Sequence, residues 1–423
     1  MIDIKLIRAN PDLFIHAAKV KNISVDINRL LEIDKQLLHL RQELQEIRTE
    51  QNKTGKEIPR LDGQEKQAKI EQLAKLKARA KEISQQIDNL QPEFDRLMLL
   101  VPQPPDPFVP IGVDENDNVE IRRVGEIRKF DFEPLDHVEL GKALDIIDID
   151  RGVKLAGTRN YCLKGAGVLL HQAVLKLALD IIRKKGFTLL MVPVLVRDKV
   201  MYGTGYFPVG MDQAYLVERD GLSLAGTAEV PLTAYHADEI LDEADLPKKY
   251  AALSPCYRRE AGAAGKDTRG LYRIHYFDKV EQVIIGPNDA DMSVKFHQEI
   301  LANSEEVLQA LELPYRVVNV CTGDLGQGQV QKFDIETWMP SRNAYGETHS
   351  ASRFHEFQAR RLNIRYRGED GKLRFCHTLN NTVIASPRIL IPILELYQNR
   401  DGSVTIPHAL RDYMDGMEKI ERK

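Results

Sequence analysis

The fold is decided by residues 254–285, SPCYRREAGAAGKDTRGLYRIHYFDKVEQVII. Apolar and aromatic residues at both ends enclose a glycine-rich, basic centre, and this pattern predicts a strand, a loop and a second strand. Because side chains alternate across a strand, Arg258 and Glu260 should share one face of the first strand, and Lys279 and Glu281 one face of the second. An antiparallel pair would bring these charges together. For this segment alone, a structural ion-pair network and a ligand site are both open interpretations.

Charge and cysteine content exclude several classes of protein. The 423 residues include 59 Lys and Arg against 63 Asp and Glu, a net charge of -4, which argues against a protein that coats nucleic acid non-specifically. No run of about 18 apolar residues occurs, so we expect a soluble protein with no membrane partner. The four cysteines, Cys162, Cys256, Cys321 and Cys376, are far apart and form no CxxC pair, so we do not expect a disulfide framework. We expect the protein to reside in a reducing cytoplasm.

The amino-terminal quarter of the chain has the heptad pattern of a helical hairpin. One apolar stripe comprises Leu30, Ile33, Leu37, Leu40, Leu44 and Ile47, and a second comprises Ile70, Leu73, Ala80, Ile83, Ile87, Leu90, Phe94 and Leu97. Gly55, Pro59 and Gly63 lie between the stripes and predict a break. The pattern therefore predicts an antiparallel coiled-coil arm. Residues 101–110, VPQPPDPFVP, predict a stiff linker, and we expect domains at 1–106 and 107–423.

Beyond the linker the pattern is α+β. Residues 168–184 predict an amphipathic helix, and residues 188–196, 277–285 and 315–323 predict strands. These strands are not regularly separated by crossover helices. We therefore expect a mainly antiparallel sheet flanked by helices.

Residues 226–281 resemble motif 2 of the class II aminoacyl-tRNA synthetases, in the form found in the seryl-tRNA synthetase family. The resemblance continues through residues 102–126 and 131–148, and residues 191–208, MVPVLVRDKVMYGTGYFP, resemble motif 1. Nearly the whole chain is covered. The resemblance implies an amino-terminal tRNA-binding arm followed by a class II catalytic domain.

The resemblance also implies the reaction and its participants. L-serine and ATP, with Mg²⁺, would give seryl-adenylate and pyrophosphate, and the seryl group would pass to the 3′ end of serine tRNA, and of selenocysteine tRNA as well. Such a ligase serves protein biosynthesis in the cytoplasm. A homodimer is implied, because motif 1, which here contains Pro193, forms the dimer interface in this class.

The family's ATP-binding residues map onto Arg258, Arg259, Glu260, Glu347, Thr348, His349, Ser350 and Arg388, with Glu347 and Ser350 as magnesium ligands. By this mapping the catalytic residues are Arg258, Glu260 and Arg388. Arg258 would bind the α-phosphate and the serine carboxylate, for which a planar fork of donors is suited. Glu260 would hold the adenine amino group and Arg388 the γ-phosphate. Strand alternation turns Arg259 away from Arg258, which favours a structural role for its side chain.

The serine-binding residues of the family map onto Thr227, Ala228, Glu229, Arg258, Glu281 and Thr382. Thr227 and Glu229 would meet the α-ammonium group, and Glu281 the serine hydroxyl. A buried carboxylate that accepts from the hydroxyl is left unpaired when alanine enters, so alanine is rejected, whereas threonine must be refused by lack of space.

Residues 379–388, LNNTVIASPR, depart from the glycine-rich motif 3 that is usual in the family. Thr382 keeps the family's hydroxyl and adds a methyl group. Ser386 is a favourable N-cap and Pro387 a favourable first helical residue, so we expect a helix whose amino-terminal turn carries Arg388 and faces polyphosphate.

The arm distinguishes the leading hypothesis from its rivals. A ligase that charges a carrier protein would keep the catalytic residues and lack a tRNA-binding hairpin. A non-catalytic paralogue, which the altered motif 3 suggests, would have no reason to keep the buried phosphate-binding charges. Near the predicted tip, Lys53, Lys56 and Arg60 are expected either to meet tRNA phosphates or to form a solvated turn.

Overall fold

The computed structural model describes residues 2–262, 265, 267 and 269–422. The chain divides into two compact units, residues 1–102 and 103–423. The domain boundary predicted after residue 106 falls just beyond this division and stays a prediction. In the described residues, no helix combines the length and the apolar character needed to cross a bilayer.

The first unit is helical. It contains α1 (Ile4–Ala9), α2 (Pro11–Val20), α3 (Ile27–Glu57) and α4 (Gly63–Leu100). Two ion pairs between α3 and α4, Arg29 with Glu93 at 3.0 Å and Glu43 with Arg79 at 2.8 Å, fix their antiparallel register. A small apolar cluster of Leu40, Leu44 and Ile83 lies between the two helices. The predicted helical hairpin is therefore confirmed.

The break between the long helices comes later than Gly55. Gly55 lies inside α3, and the chain turns through a short 3₁₀ helix at Ile58–Arg60, where Pro59 cannot continue the α-helical hydrogen bonds. Gly63 opens α4 with φ +56°, a conformation that favours glycine. Lys53, Lys56 and Arg60 are exposed at this end of the hairpin.

The second unit is built on an eight-stranded sheet, with smaller sheets beside it. The strands of the whole unit are β1 (Val119–Val124), β2 (Ile147–Asp148), β3 (Cys162–Leu163), β4 (Thr188–Leu189), β5 (Leu195–Arg197), β6 (Tyr215–Val217), β7 (Leu222–Leu224), β8 (Ile240–Asp242), β9 (Lys248–Tyr257), β10 (Tyr276–Gly286), β11 (Tyr315–Asn319), β12 (Gln331–Met339), β13 (Ala344–His355), β14 (Arg365–Arg367), β15 (Leu373–Phe375), β16 (His377–Ser386), β17 (Val404–Thr405) and β18 (Lys419–Ile420). Its helices are α5 (His137–Ala143), α6 (Ile149–Ala156), α7 (Ala166–Lys184), α8 (Asp198–Thr204), α9 (Glu229–Thr233), α10 (Ala290–Ala310), α11 (Phe357–Leu362), α12 (Leu390–Leu396) and α13 (His408–Arg411).

The order of the large sheet is β1-β11-β12-β13-β16-β10-β9-β4. Every neighbouring pair is antiparallel except β4 and β9, so the predicted mainly antiparallel sheet is confirmed. The strand predicted over residues 188–196 is two short strands, β4 and β5, because the segment between them contains Pro193, which lacks a backbone donor.

The two faces of the sheet have different roles. Val280 and Ile284 of β10 pack with α7 and α10 in the main hydrophobic core. Gln282 lies on the same face, where its Nε2 donates to Ile300 O at 2.9 Å. Alternation therefore turns Lys279 and Glu281 to the opposite face, which carries the polar cavity described below.

The chain's only tryptophan lies in the β12–β13 pair. Trp338 is directly opposite Tyr345, and their ring centroids are 5.1 Å apart in an edge-to-face arrangement. The same pair of strands continues to Glu336 and Glu347, which are also directly opposite each other.

The helix predicted to start at Ser386 starts later. Ser386 is the last residue of β16, where it pairs with Asp278 of β10, and its Oγ is 2.8 Å from His171 Nδ1. These contacts keep it in the strand, so it is not an N-cap. Arg388 lies in the turn before α12, so its predicted position in the first turn of the helix is wrong.

Candidate active site

A polar cavity of about 230 Å³ opens on the face of the sheet opposite α7 and α10. Nine of the predicted site residues line it: Glu229, Arg258, Glu260, Glu347, Thr348, His349, Ser350, Thr382 and Arg388. A neighbouring cavity of about 370 Å³ shares Arg258, Glu260, Glu347 and Arg388 with the first. Residues separated by up to 159 positions in the sequence, from 229 to 388, thus converge on one space.

Four predicted residues do not line this cavity, namely Thr227, Ala228, Arg259 and the fully buried Glu281. The Oγ1 of Thr227 accepts a hydrogen bond from the Glu229 backbone N–H at 3.2 Å, and Ala228 is buried in an apolar cluster. Both residues therefore support Glu229 from behind. The exposed Arg259 lies beyond the end of β9 and donates from its guanidinium to Asp212 O at 3.2 Å.

Two buried carboxylates, Glu229 and Glu281, share the amide donor of Asn380, and of these three residues Glu229 and Asn380 line the cavity. Asn380 Nδ2 lies 3.1 Å from Glu229 Oε2 and 2.8 Å from Glu281 Oε1. Gln358 Nε2 donates to the other oxygen of Glu229 at 2.8 Å. Burial, assisted by the charge of Glu281, raises the pKa of Glu229 to about 7. Such a pair is arranged to receive a cation or a hydroxyl donor.

A bulge aligns Thr382 with Glu281. The β10–β16 register passes from Val280 opposite Ile384 to Glu281 opposite Thr382, so Val383 is an extra residue in β16. The Thr382 hydroxyl is 3.4 Å from Glu281 Oε2, and Lys279 Nζ is 2.5 Å from the same oxygen. Lys279 and Glu281 therefore share one face, as their alternation predicts.

Arg258 and Glu260 reach the cavity from beyond the end of their strand. β9 ends at Tyr257, and Glu260 has φ +53°, so the predicted alternation of these two residues along a strand is wrong. The Arg258 guanidinium lies 5.3 Å from the ring centroid of Phe277, and among the described residues it makes no ion pair with a carboxylate. Glu260 accepts from Arg273 at 2.8 Å.

Arg388 is held by backbone carbonyls. Its Nε donates to Tyr272 O and its Nη1 to Glu347 O, both at 3.0 Å, and its guanidinium lies 4.5 Å from the Tyr272 ring centroid. The Glu347 carboxylate is 4.0 Å away. Burial alone would raise the pKa of Glu347, but the positive charges of Arg388, Lys332 and Arg258 lower it. Glu347 is therefore ionised near neutral pH.

The segment from Glu347 to Ser350 contains a second bulge. The β12–β13 register passes from His349 opposite Ile335 to Glu347 opposite Glu336, which leaves Thr348 unpaired. Thr348 Oγ1 is 2.7 Å from Thr337 Oγ1 and 2.8 Å from His349 Nδ1. Burial lowers the pKa of His349 to about 3, so the ring is neutral.

Sequence reasoning missed two groups that line or support the cavity. Lys332 lines it, and its Nζ is 3.0 Å from Asp334 Oδ2, whose pKa is raised to about 7 by burial. A signal was present, because Lys332 and Asp334 alternate with the apolar Phe333 and Ile335. Asn380, which joins the two acidic residues, had no comparable signal.

Two family models match the chain. The seryl-tRNA synthetase N-terminal domain matches residues 1–105, and the tRNA synthetase class II core domain (G, H, P, S and T) matches residues 215–397. The serine–tRNA ligase of Deinococcus radiodurans is 46% identical over 420 residues, covering 99% of each chain. That of Fervidobacterium nodosum is 44% identical and covers 98% of each chain.

Solved structures agree with these matches. The seryl-tRNA synthetase of Pyrococcus horikoshii, complexed with ATP, is similar with a TM-score of 0.93 and 38% identity, over 100% of both chains. The cytoplasmic serine–tRNA ligase of Naegleria fowleri, in complex with AMP, has a TM-score of 0.89 and 30% identity, over 100% of this chain and 99% of that one.

Proposed function

The chain belongs to the seryl-tRNA synthetase family, and from that membership we propose how its residues divide the reaction among them. The activity is ATP-dependent ligation of serine to tRNA. A serine carboxylate oxygen attacks the α-phosphorus of ATP, the bond to the bridging oxygen breaks and pyrophosphate leaves. A hydroxyl of the terminal tRNA ribose then attacks the carbonyl carbon, and AMP leaves. The observation that carries the site assignment is the convergence of nine predicted residues on one cavity.

Arg258 and Arg388 bind the phosphates in this proposal. The first step concentrates negative charge around the α-phosphate, and fixed cations lower its barrier without a covalent nucleophile. Arg258 has no carboxylate partner among the described residues, so its fork is available for the α-phosphate and the serine carboxylate. Arg388 serves the γ-phosphate. Glu260 takes the adenine amino group, and Thr348 and His349 shape the wall beside it.

Glu229 and Glu281 bind serine. The ammonium group of serine lies against Glu229, and the hydroxyl donates to Glu281, beside Thr382. Thr227 and Ala228 contribute by holding Glu229 in place, as their contacts indicate. Arg259 remains in the ATP-binding set only through the family mapping, because its side chain points away from the cavity.

Magnesium fits the donor set at Glu347 and Ser350. In the described residues no group of three or more His, Cys, Asp or Glu side chains is placed to hold a metal ion. One carboxylate and one hydroxyl still match the way Mg²⁺ is usually bound, with substrate phosphates and waters as its remaining ligands. When bound, the ion would neutralise phosphate charge during adenylation.

The hairpin of α3 and α4 binds serine tRNA, and selenocysteine tRNA in the same way. Lys53, Lys56 and Arg60 are exposed together at one end of it, where contacts to RNA phosphates would need no base readout. All four cysteines are free, which is typical of a reducing compartment, and the proposed location is the cytoplasm.

A homodimer is supported by apolar exposure around β4 and β5. Met191 is 99% exposed and Leu195 46% exposed, on either side of Pro193. Exposed apolar residues in one segment are typical of an interface. Met191→Asp should yield monomers in sedimentation experiments, with no change for Val209→Asp, which alters an apolar residue elsewhere that is 62% exposed.

The decisive test is amino-acid-dependent exchange of pyrophosphate into ATP without tRNA, with serine, threonine, alanine, glycine and cysteine compared. Serine-selective exchange is expected. Arg258→Ala should abolish it, whereas Arg219→Ala, at an exposed arginine that does not line the cavity, should not. Exchange that survives Arg258→Ala would refute the site assignment. Selective exchange with another amino acid would redirect the pocket assignment to Thr382.

A further inference from the structure

Three residues join α7 to the ends of β10 and β16. His171 of α7 lies with Nδ1 2.8 Å from Ser386 Oγ and Nε2 3.0 Å from Asp278 Oδ2. Asp278 and Ser386 are themselves directly opposite each other in the β10–β16 register. We call His171, Asp278 and Ser386 the strand-end clasp.

The clasp has the composition of a nucleophilic triad but not the exposure of one. Ser386 is 0% exposed and lies on the core side of the sheet, away from the polar cavity. A nucleophile must reach its substrate, so a hydrolytic role is excluded by burial. The hydrogen bonds must therefore act on the protein itself.

The proton positions in the clasp follow from its chemistry. A carboxylate oxygen accepts, so Nε2 of His171 carries the hydrogen that lies between it and Asp278 Oδ2. In this tautomer Nδ1 is an acceptor, and the Ser386 hydroxyl donates to it. Each hydrogen bond fixes the end of a different strand.

The clasp lies directly before the residue that the proposed function assigns to the γ-phosphate. Asp278 with Ser386 is the last pair of the β10–β16 register, and Arg388 follows two residues later in the turn. The Arg388 guanidinium is held by the carbonyls of Tyr272 and Glu347, which reach it from other strands and loops. A shift of the strand end would therefore carry Arg388 away from both carbonyls.

We propose that His171 is a positioning residue for ATP binding, which fixes the turn at Arg388 through Ser386. This inference rests on the proposed role of Arg388. His171 lies on the long helix α7 and faces the core, so it would act on the reaction without touching a substrate.

Two isosteric variants separate the two hydrogen bonds. Asn places a polar atom near the position of Nδ1, and Gln places one near Nε2. His171→Asn keeps the contact with Ser386, and His171→Gln keeps only the contact with Asp278. We expect His171→Gln and Ser386→Ala each to raise the KM for ATP by about three- to tenfold in the exchange assay, as loss of one hydrogen bond predicts. The KM for serine should change less than about twofold.

Rescue and control variants complete the test. His171→Asn should have the same KM for ATP as the unmodified protein. The double variant His171→Gln with Ser386→Ala should have no higher KM for ATP than either single variant, because both substitutions remove the same hydrogen bond. The matched control is His377→Gln. It breaks another histidine–serine hydrogen bond, His377 to Ser293 at 2.6 Å, at the opposite end of β16, and should alter melting temperature without altering either KM.

Two outcomes would overturn the inference. One is an unchanged KM for ATP in both His171→Gln and Ser386→Ala. The other is an equal rise in the KM values for ATP and serine, which would indicate general loosening of the fold. Arg388→Ala tests the underlying assignment separately: if exchange persists in that variant, the role of Arg388 fails whatever the His171 variants show.

Discussion

Glu229 and Glu281 are two buried acidic residues that share the amide of Asn380. Burial, together with the charge of Glu281, raises the pKa of Glu229 to about 7, so protonated and ionised forms of this residue coexist near neutral pH. A protonated Glu229 offers the serine ammonium group no charge. The binding of serine is therefore linked to pH through this one residue.

We expect kcat/KM for serine to fall about tenfold per pH unit below pH 7, because only the ionised form of Glu229 attracts the ammonium group. The measurement is serine-dependent exchange from pH 5.5 to 8 at saturating ATP. Glu229→Gln should be weakly active with a flat profile. A flat profile in the unmodified enzyme would contradict the prediction.

Asn380→Asp should abolish serine-dependent exchange. The substitution conserves shape but replaces the shared donor with a third carboxylate between two others, removing two hydrogen bonds to charged groups. Each such bond is worth about 1.5–3 kcal/mol, so we expect a loss of more than about 100-fold. The matched control is Asn381→Asp, since the Asn381 side chain faces α10 and its Oδ1 only accepts, from Ser304 and Gln282. An active Asn380→Asp enzyme would refute the shared-donor role.

At the scale of single residues, the sequence predicted Lys279 and Glu281 on one strand face and missed Lys332 and Asn380. Lys279 and Glu281 alternate along a strand, which any periodic pattern reveals. Asn380 could not be predicted from the sequence, because its role depends on two carboxylates, Glu229 and Glu281, that are 151 and 99 residues away in the chain. Glu260 was assigned to a strand because a positive φ leaves no mark in the sequence at a glutamate.

The hairpin of α3 and α4 is the element that should distinguish tRNA charging from adenylation. We expect the combined variant Lys53→Ala, Lys56→Ala and Arg60→Ala to raise the KM for tRNA and to leave pyrophosphate exchange unchanged. Each lost phosphate contact should reduce the slope of log affinity against log salt by about 0.7 to 0.9.

The control for the hairpin variant removes positive charge at three positions with no proposed RNA contact. Lys5→Ala, Lys19→Ala and Arg48→Ala together remove the same charge from the first unit. If both triple variants weakened tRNA binding equally, the contribution would be net charge and not the tip of the hairpin.

At the scale of elements, long periodic segments were predictable and junctions were not. Both hairpin helices follow from their apolar stripes, because a stripe repeated over many turns outweighs any single residue. Ser386 shows the limit. Its local sequence favours an N-cap, but the pairing with Asp278 and the hydrogen bond to His171, both distant in sequence, keep it in a strand.

Four histidines, of which three are buried and His355 is half-buried, make the whole molecule sensitive to acid. Burial lowers the pKa of each to about 4 or about 3, and the four are His297, His355, His377 and His349. In the unfolded chain each would titrate near 6.5. Between pH 6.5 and about pH 4 the unfolded state therefore binds more protons than the folded state, and the free energy of unfolding falls as the pH drops through this range.

We expect the free energy of unfolding to be lower at pH 5 than at pH 7, as measured in urea. Each histidine contributes a slope of up to about 1.4 kcal/mol per pH unit. Glu229 and Asp334 oppose this, because their raised pKa values make the folded state bind protons more readily. Because four histidines lower the free energy of unfolding and two acidic residues raise it, the free energy of unfolding falls overall between pH 7 and pH 5. His377→Gln should reduce the slope of the free energy of unfolding against pH. An unchanged slope in this variant would contradict the contribution assigned to His377.

The position of Trp338 gives the chain a built-in optical label. The indole of this only tryptophan belongs to the second unit, beside Tyr345, so its fluorescence reports that unit and is silent about the hairpin. Circular dichroism at 222 nm, by contrast, is weighted towards α3 and α4, the two longest helices. Recording both signals during one denaturant titration would reveal whether the arm and the catalytic unit melt together or one at a time, without attaching a dye.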